Sequence, residues 1–210
     1  MNVDRQQSRR RRVPALAPDD RRSALIATTL PLLRTHGAAV TTRQIAEAAG
    51  VAEGTIFGVF PDKASLLSAA LCRAFEPGPV LRALSAIDPR APLRERLGDA
   101  AAILLRRVEG SVQLMMLART MPCAAEESPM AVLTESRRRL TEAVAALVEP
   151  DRELLRRSPD TTARLLFALV VNTVRGDLPT EDLFTPDEIV AVLLDGLLKR
   201  PGDPSDPGEA

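Results

Sequence analysis

Few side chains in this 210-residue chain could make or break bonds. There is one histidine, His36, and there are two cysteines, Cys72 and Cys123. A single histidine supplies no Ser–His–Asp or Cys–His constellation worth defending, because the nucleophile needs an adjacent base and the base a third, orienting group. No CxxC, HExxH, Walker A or GxGxxG spacing occurs. The expectation is a protein that is not an enzyme and uses no cofactor or metal. His36 precedes Gly37 and reads as a cation at a helix C-terminus or as a simple surface residue. Cys123, beside a loop of acidic and small residues, could sense oxidants, although an inert thiol is the commoner state of such a cysteine.

Recognition chemistry is better represented. The stretch Thr41–Lys63, TTRQIAEAAGVAEGTIFGVFPDK, reads as two short helices joined by a glycine turn and followed by the start of a third. Thr42 can cap the first, which then runs from Arg43 to Ala49 with Ile45, Ala48 and Ala49 as its apolar positions. Gly50 ends it by entering the left-handed region without a Cβ clash. Val51 anchors the turn, and Ala52 or Glu53 begins a second helix that carries Ile56 and Phe60 inward. Ala46 is small, as a close helix crossing requires. Pro61 stops the second helix and Asp62 caps the next. Two helices with this turn fit a DNA major groove; the alternative is an ordinary helical hairpin inside a bundle.

At this point the chain resembles the TetR family of bacterial transcriptional regulators. The likeness begins at Arg22-Ser-Ala-Leu-Ile-Ala-Thr-Thr-Leu-Pro-Leu-Leu-Arg-Thr-His-Gly37, similar to the family's first helix, and runs through Pro61-Asp-Lys-Ala-Ser-Leu-Leu67. It implies an all-α protein: an N-terminal three-helix helix-turn-helix DNA-binding domain, then a C-terminal helical bundle for ligand binding and dimerisation. It implies that Thr42, Thr55 and Lys63 contact phosphates, and that Arg43, Ala52, Glu53, Gly54 and Gly58 face base edges or backbone. Three positions depart from the family pattern. Phe57 stands where tyrosine is usual, which removes a phenolic phosphate contact. Gly58 replaces a polar residue, and Glu53 brings a negative charge where Lys or Ser is common. Pro31, inside the first helix, removes one backbone hydrogen bond and should bend it.

Composition agrees with helix-on-helix packing. The chain is 45% hydrophobic but holds five Phe and no Tyr or Trp, so its core must come from Leu, Ala, Val and Ile. No apolar run is long enough to span a membrane, no signal-peptide pattern appears, and the cysteines make no disulfide framework; a cytoplasmic setting is expected. Formal net charge is zero, yet residues 1–76 hold 11 Arg/Lys against 7 Asp/Glu, and residues 77–210 hold 17 against 21. The positive half is the half with the helix-turn-helix, which should make DNA binding salt-sensitive.

Four segments follow. Residues 1–18, with Arg5, Arg9, Arg10, Arg11 and Arg12, read as a disordered basic arm that either reaches DNA or is simply solvated. Residues 19–76 form the DNA-binding domain, whose first helix Asp19 or Asp20 would cap. Its fourth helix spans about Lys63–Phe75. Residues 77–200 form the effector-binding and dimerisation domain, opening at Pro77-Gly78-Pro79 with a short helix around Val80–Ala86. Helices are expected over about 93–108, 111–121, 130–148, 161–175 and 186–199, with a short polar helix at 151–157. The last two long helices carry more apolar surface than one stripe requires, so they are buried on two sides, either at a subunit interface, as the resemblance implies, or in the internal core. Residues 201–210 read as a disordered tail.

The resemblance also implies a small effector. Met115, Met116, Met121 and Phe167 are candidates to line an apolar pocket, with Arg119, Asn172 and Arg175 as polar ends that would favour an acidic ligand. Core packing or surface charge is the alternative for each. The lack of Tyr and Trp argues against an aromatic cage for a quaternary ammonium group. The expected partners are a near-palindromic double-stranded operator, a second copy of the chain and a small molecule of unknown identity. The alternatives are a regulator without a ligand and a helical interaction protein whose head binds DNA weakly.

Overall fold

The computed structural model describes residues 17–121, 128–174 and 184–197. Among them the regular elements are all helical. The first four are α1 (Pro18–His36), α2 (Thr42–Ala49), α3 (Glu53–Phe57) and α4 (Lys63–Phe75). Pro18 itself starts α1, with Ala17 before it and no side-chain cap. Its fixed φ suits the first helical position, so neither Asp19 nor Asp20 is the cap; both lie in the first turn, where their charge complements the helix dipole. The helix continues through Pro31 and ends at His36, with Gly37 at φ 55° turning the chain into a 3-10 turn, Gly37–Ala39.

The cap of α2 is Thr41, not Thr42. Thr41 Oγ1 accepts from the Gln44 N–H, while Gln44 Oε1 accepts from the Thr41 N–H at 2.8 Å. This reciprocal capping box satisfies two donors at once, which a Thr42 cap could not. Gly50 closes α2 at φ 65°, ψ 31°. Its N–H donates to the Glu47 carbonyl and the Val51 N–H to that of Ala46, the paired bonds of a Schellman motif. Asp62 caps α4, its Oδ1 accepting from the Ser65 N–H at 2.7 Å. That bond holds the Asp62 carboxyl below its usual range.

The remaining elements are α5 (Gly78–Ser85), α6 (Leu93–Glu109), α7 (Val112–Thr120), α8 (Pro129–Val148), a 3-10 turn at Glu149–Leu154, α9 (Pro159–Val174) and α10 (Pro186–Leu197). A second capping box, between Thr185 and Glu188, starts α10. The 3-10 turn replaces the expected polar helix over 151–157, and the backbone leaves helical geometry at Asp151. There the carboxylate pairs with Arg96, whose guanidinium also donates to the Pro89 and Ala91 carbonyls at 3.0 and 2.9 Å. Arg96 is buried, so these partners offset its desolvation.

Two cores result. Leu25, Leu33, Ile45, Ile56, Phe60, Leu66, Leu71 and Phe75 fill the first, and Leu114 and Ala118 of α7 join them. Leu84, Leu97, Leu104, Leu140, Val144, Leu166, Phe167, Val170, Ile189 and Leu193 fill the second. Met115 packs against both. Arg107 of α6 adds a polar tie, its Nη1 donating to the Ala74 carbonyl at the end of α4 at 2.7 Å. Burial, then the nearby Arg34, lowers the Arg107 pKa from its usual value.

Candidate nucleic-acid interface

The head positions α3 by burying one side of it. Ile56 and Phe60 are fully buried, while Ala52, Glu53, Gly54, Phe57 and Gly58 are exposed and Thr55 is half-buried. Every third or fourth residue therefore points inward, and the rest of this short helix faces out. Under it, Ala46 of α2 is buried, as a close crossing demands. Ala48, expected as an apolar anchor, is exposed, because the α2 face that meets the core runs through Ile45 and Ala46.

The polar groups of this face are held by one another. The Thr42 hydroxyl donates to a Glu53 carboxylate oxygen, tying the start of α3 to the start of α2. Glu53 is therefore anchored beside two helix N-termini, where a negative charge is stabilised. Arg43 pairs with Glu47 at 3.1 Å, both side chains well exposed. Such a pair is worth little and can exchange for a phosphate. Lys63 is half-buried and donates from Nζ to the Ala38 carbonyl at 2.9 Å. Its ammonium carries three donors, so two remain for other acceptors. Arg22 stacks over the Phe60 ring at 4.4 Å.

Electrostatics differ from what the charge asymmetry implied. Residues 17–76 contain six Lys/Arg and six Asp/Glu, so the whole positive excess of the N-terminal part falls in residues 1–16. That basic arm lies outside the described residues, as does the tail at 201–210.

The residues expected to line an effector pocket are spread over the second half. Met115 is half-buried between the cores, Met116 is 55% exposed, and Phe167 is buried in the bundle with Arg137 over its ring at 5.1 Å. Asn172 is exposed, its side-chain amide donating to the Ala168 carbonyl. Arg119 and Met121 do come together, with Ser68, Ala118, Ser128, Pro129 and Met130, around a pocket of about 260 Å³ where α4, α7 and α8 meet. A second, open groove of about 310 Å³ lies between α5 and α6, lined by Ala83, Ala86, Ile87, Asp88, Asp99, Ala102, Ile103 and Arg106. Arg175 and Cys123 lie outside the described residues. Among the described residues no group of three His, Cys, Asp or Glu could hold a metal ion, and no helix is long and apolar enough to cross a membrane.

Sequence reasoning passed over Thr41, although Thr41-x-x-Gln44 is a readable capping-box signature. It also missed the Thr42–Glu53 link, which no spacing rule predicts because the partners are eleven residues apart.

Residues 25–70 match the family model described as bacterial regulatory proteins, tetR family. No curated protein matches the chain. Among solved structures, the reduced form of Escherichia coli NemR is 17% identical, covers 88% of this chain and 100% of its own, and superposes with a TM-score of 0.65. A putative TetR-family transcriptional regulator from Mesorhizobium loti is 17% identical over 88% of this chain and 100% of its own, at 0.63. A putative transcriptional regulator from Saccharomonospora viridis, in complex with choline, is 21% identical over 87% and 100%, at 0.65. At these identities the likeness fixes the fold: an all-α helix-turn-helix head with a helical C-terminal domain.

Proposed function

With residues 25–70 placed in the tetR family of bacterial regulatory proteins, we propose that this chain is a dimeric, sequence-specific DNA-binding transcriptional regulator. Its mode is repression, relieved when a small molecule binds the helical domain. The observation that carries the reading is the geometry of α3. Two buried anchors, Ile56 and Phe60, fix it on α2 and leave its opposite face open to a major groove. Thr42, Thr55 and Lys63 lie along the rim as phosphate contacts, with Arg43 released from its exposed pairing with Glu47. The family's members are regulators, and no enzymatic step is assigned to this one.

Dimerisation is supported by α9 and α10. Both bury one side in the bundle core, yet Leu165 is 41% and Val192 55% exposed on their outer sides. Apolar side chains there suit an isologous four-helix interface, two helices from each copy. The pair of heads would then meet successive major grooves about 34–36 Å apart on a near-palindromic operator. The pocket at α4, α7 and α8 offers the effector an apolar floor with Arg119 at its edge, and Ser68 places it against the helix that joins head to bundle. A ligand preferring a different separation of the heads weakens operator binding by its difference in affinity for the two states. The basic arm adds phosphate contacts, and removing residues 1–16 lowers the slope of log affinity against log salt by at most about 4.5, from five arginines.

A second reading, a helical interaction protein with a weakened head, is favoured by exposed Phe57 and by the neutral charge of residues 17–76. Fluorescence anisotropy of the full chain on its own upstream intergenic DNA, at two salt concentrations with competitor, separates the two. Competitor-resistant binding with two protomers per site supports the regulator. Binding that salt erases, unchanged in Arg43→Ala/Lys63→Ala, supports the interaction protein.

A further inference from the structure

The face of α3 is unusual in what it lacks. It carries no Arg, Lys, Asn or Gln, the side chains that pair bidentately with guanine or adenine edges in the major groove. Glu53 has one carboxylate oxygen engaged by Thr42. Gln44, the one side-chain amide among the described residues of α1–α4, is engaged in the capping box with Thr41. What protrudes is Phe57, 52% exposed, and among the described residues of α1–α4 it is the large apolar side chain that burial leaves outside.

Gly54 lies three residues before it, on the same side of the helix, and Gly58 follows it as the C-cap of α3. Neither has a positive φ, so the backbone does not demand glycine at either position. A Cβ added at Gly54 would meet nothing within 4 Å, and one at Gly58 would make only an ordinary 3.5 Å contact with the Thr55 carbonyl. Internal packing does not demand glycine either. Glycine destabilises a helix relative to alanine, and at Gly54, inside α3, no packing contact compensates. The bare positions act on whatever docks: they let the helix backbone approach a surface closely with one aromatic ring projecting from it.

We propose that Phe57 is a specificity-determining residue that reads thymine. Its ring packs on thymine 5-methyl groups in the major groove, and Gly54 and Gly58 permit the approach that brings it there. This rests on the reading of the head as a DNA-binding unit. An apolar ring distinguishes the thymine methyl from every other major-groove edge, which offers only donors and acceptors.

The test begins with selection of a preferred duplex from a random library by the full-length protein. Thymines of the selected site are then replaced one at a time by deoxyuridine, which removes only the methyl group. The expected result is one or two positions per half-site where the native chain loses about fourfold in affinity per methyl, or about fifteenfold when both half-sites are changed together. Phe57→Ala binds more weakly than the native chain and is insensitive to deoxyuridine at those positions. Phe57 is half-exposed, so this variant keeps the head core, and unchanged helical circular dichroism checks it. Gly54→Ala supplies a second arm: it raises the melting temperature while weakening binding to the selected site, opposite signs that a purely structural role would not give. Deoxyuridine effects within twofold at every position, or equal effects in the native chain and Phe57→Ala, overturn the proposal and leave the regulator reading standing. A selection that enriches no sequence at all overturns the regulator reading itself.

Discussion

The head and the helical bundle are built from the same materials but expose different things. In the head, every large apolar side chain of α2 and α3 is buried except Phe57, and the outer face is polar, small and internally tied. In the bundle, apolar residues reach the surface at Leu165, Val192 and Met116, on helices whose other sides are fully packed. Under the proposed reading the head's face approaches DNA closely, while the bundle's apolar area is what a second copy of the chain covers. The difference lies in α3: this five-residue helix is held by Ile56 within it and Phe60 just after it, which leaves Glu53, Gly54 and Phe57 exposed.

The largest break in this comparison comes from the head core. Phe60 is 1% exposed and holds both α3 and the Arg22 stack. Phe60→Ala is expected to cost about 3–5 kcal/mol and to abolish DNA binding. Denaturant titration followed by circular dichroism measures it. Because Leu114 and Ala118 of α7 belong to the same core, the loss should also loosen α7; a bundle melting unchanged would show that the two cores are independent.

Next is the bundle's buried charge. Removing the carboxylate by Asp151→Ala leaves Arg96 buried with carbonyl partners alone, at a cost of about 3 kcal/mol. Operator affinity of the folded fraction should be unchanged, since the pair lies far from α3 in the chain and in a different core. A loss of affinity without a loss of stability would place Arg96 on the route between ligand and head.

Gly50→Ala should act more weakly, about 1–2 kcal/mol, because a Cβ in the left-handed region clashes with its own backbone although nothing else is near. Its effect sharpens the contrast with Gly54→Ala, where φ is ordinary and stability rises instead.

The smallest effect is that of acid on the α4 cap. The folded pKa of Asp62 lies below the ordinary 3.8, the Ser65 backbone N–H being the main cause. A depressed carboxylate contributes stability that is fully present above the unfolded value. It is lost as pH falls through the folded one. Asp62→Asn should therefore melt lower than the native chain at pH 7, and the gap should close below pH 3.8. A gap that persists unchanged at low pH would mean that the cap does not depend on charge.

The local signals of the head were readable because each acts within a few residues. Gly50 stops α2 through its own φ, Asp62 caps a helix three residues away, and Ile56 and Phe60 mark one face by spacing alone. Thr41 was within the same reach, and the competing hydroxyl of Thr42 hid it. The bundle's helices were equally visible as apolar runs. Their contents were not: Phe167 and Met116 look alike as pocket candidates in the sequence, yet one is buried under Arg137 and the other faces solvent. Periodicity states that a helix has an apolar face, but the identity of what covers that face belongs to contacts formed across long stretches of chain.

By itself, then, the sequence determined most of the helices, the Gly50 stop, the Asp62 cap and the inward side of α3, because these depend on backbone conformation and residue type over one or two turns. Only the tertiary structure decided that Glu53 is tethered by Thr42, that α7 completes the head core, that Arg107 ties α6 to the end of α4, and that Arg119 and Met121 meet at a pocket while Phe167 does not. The Thr42–Glu53 and Arg107–Ala74 bonds join residues 11 and 33 positions apart, and the α7 and pocket contacts join elements separated by whole helices; such distances are closed by packing, which no local pattern records.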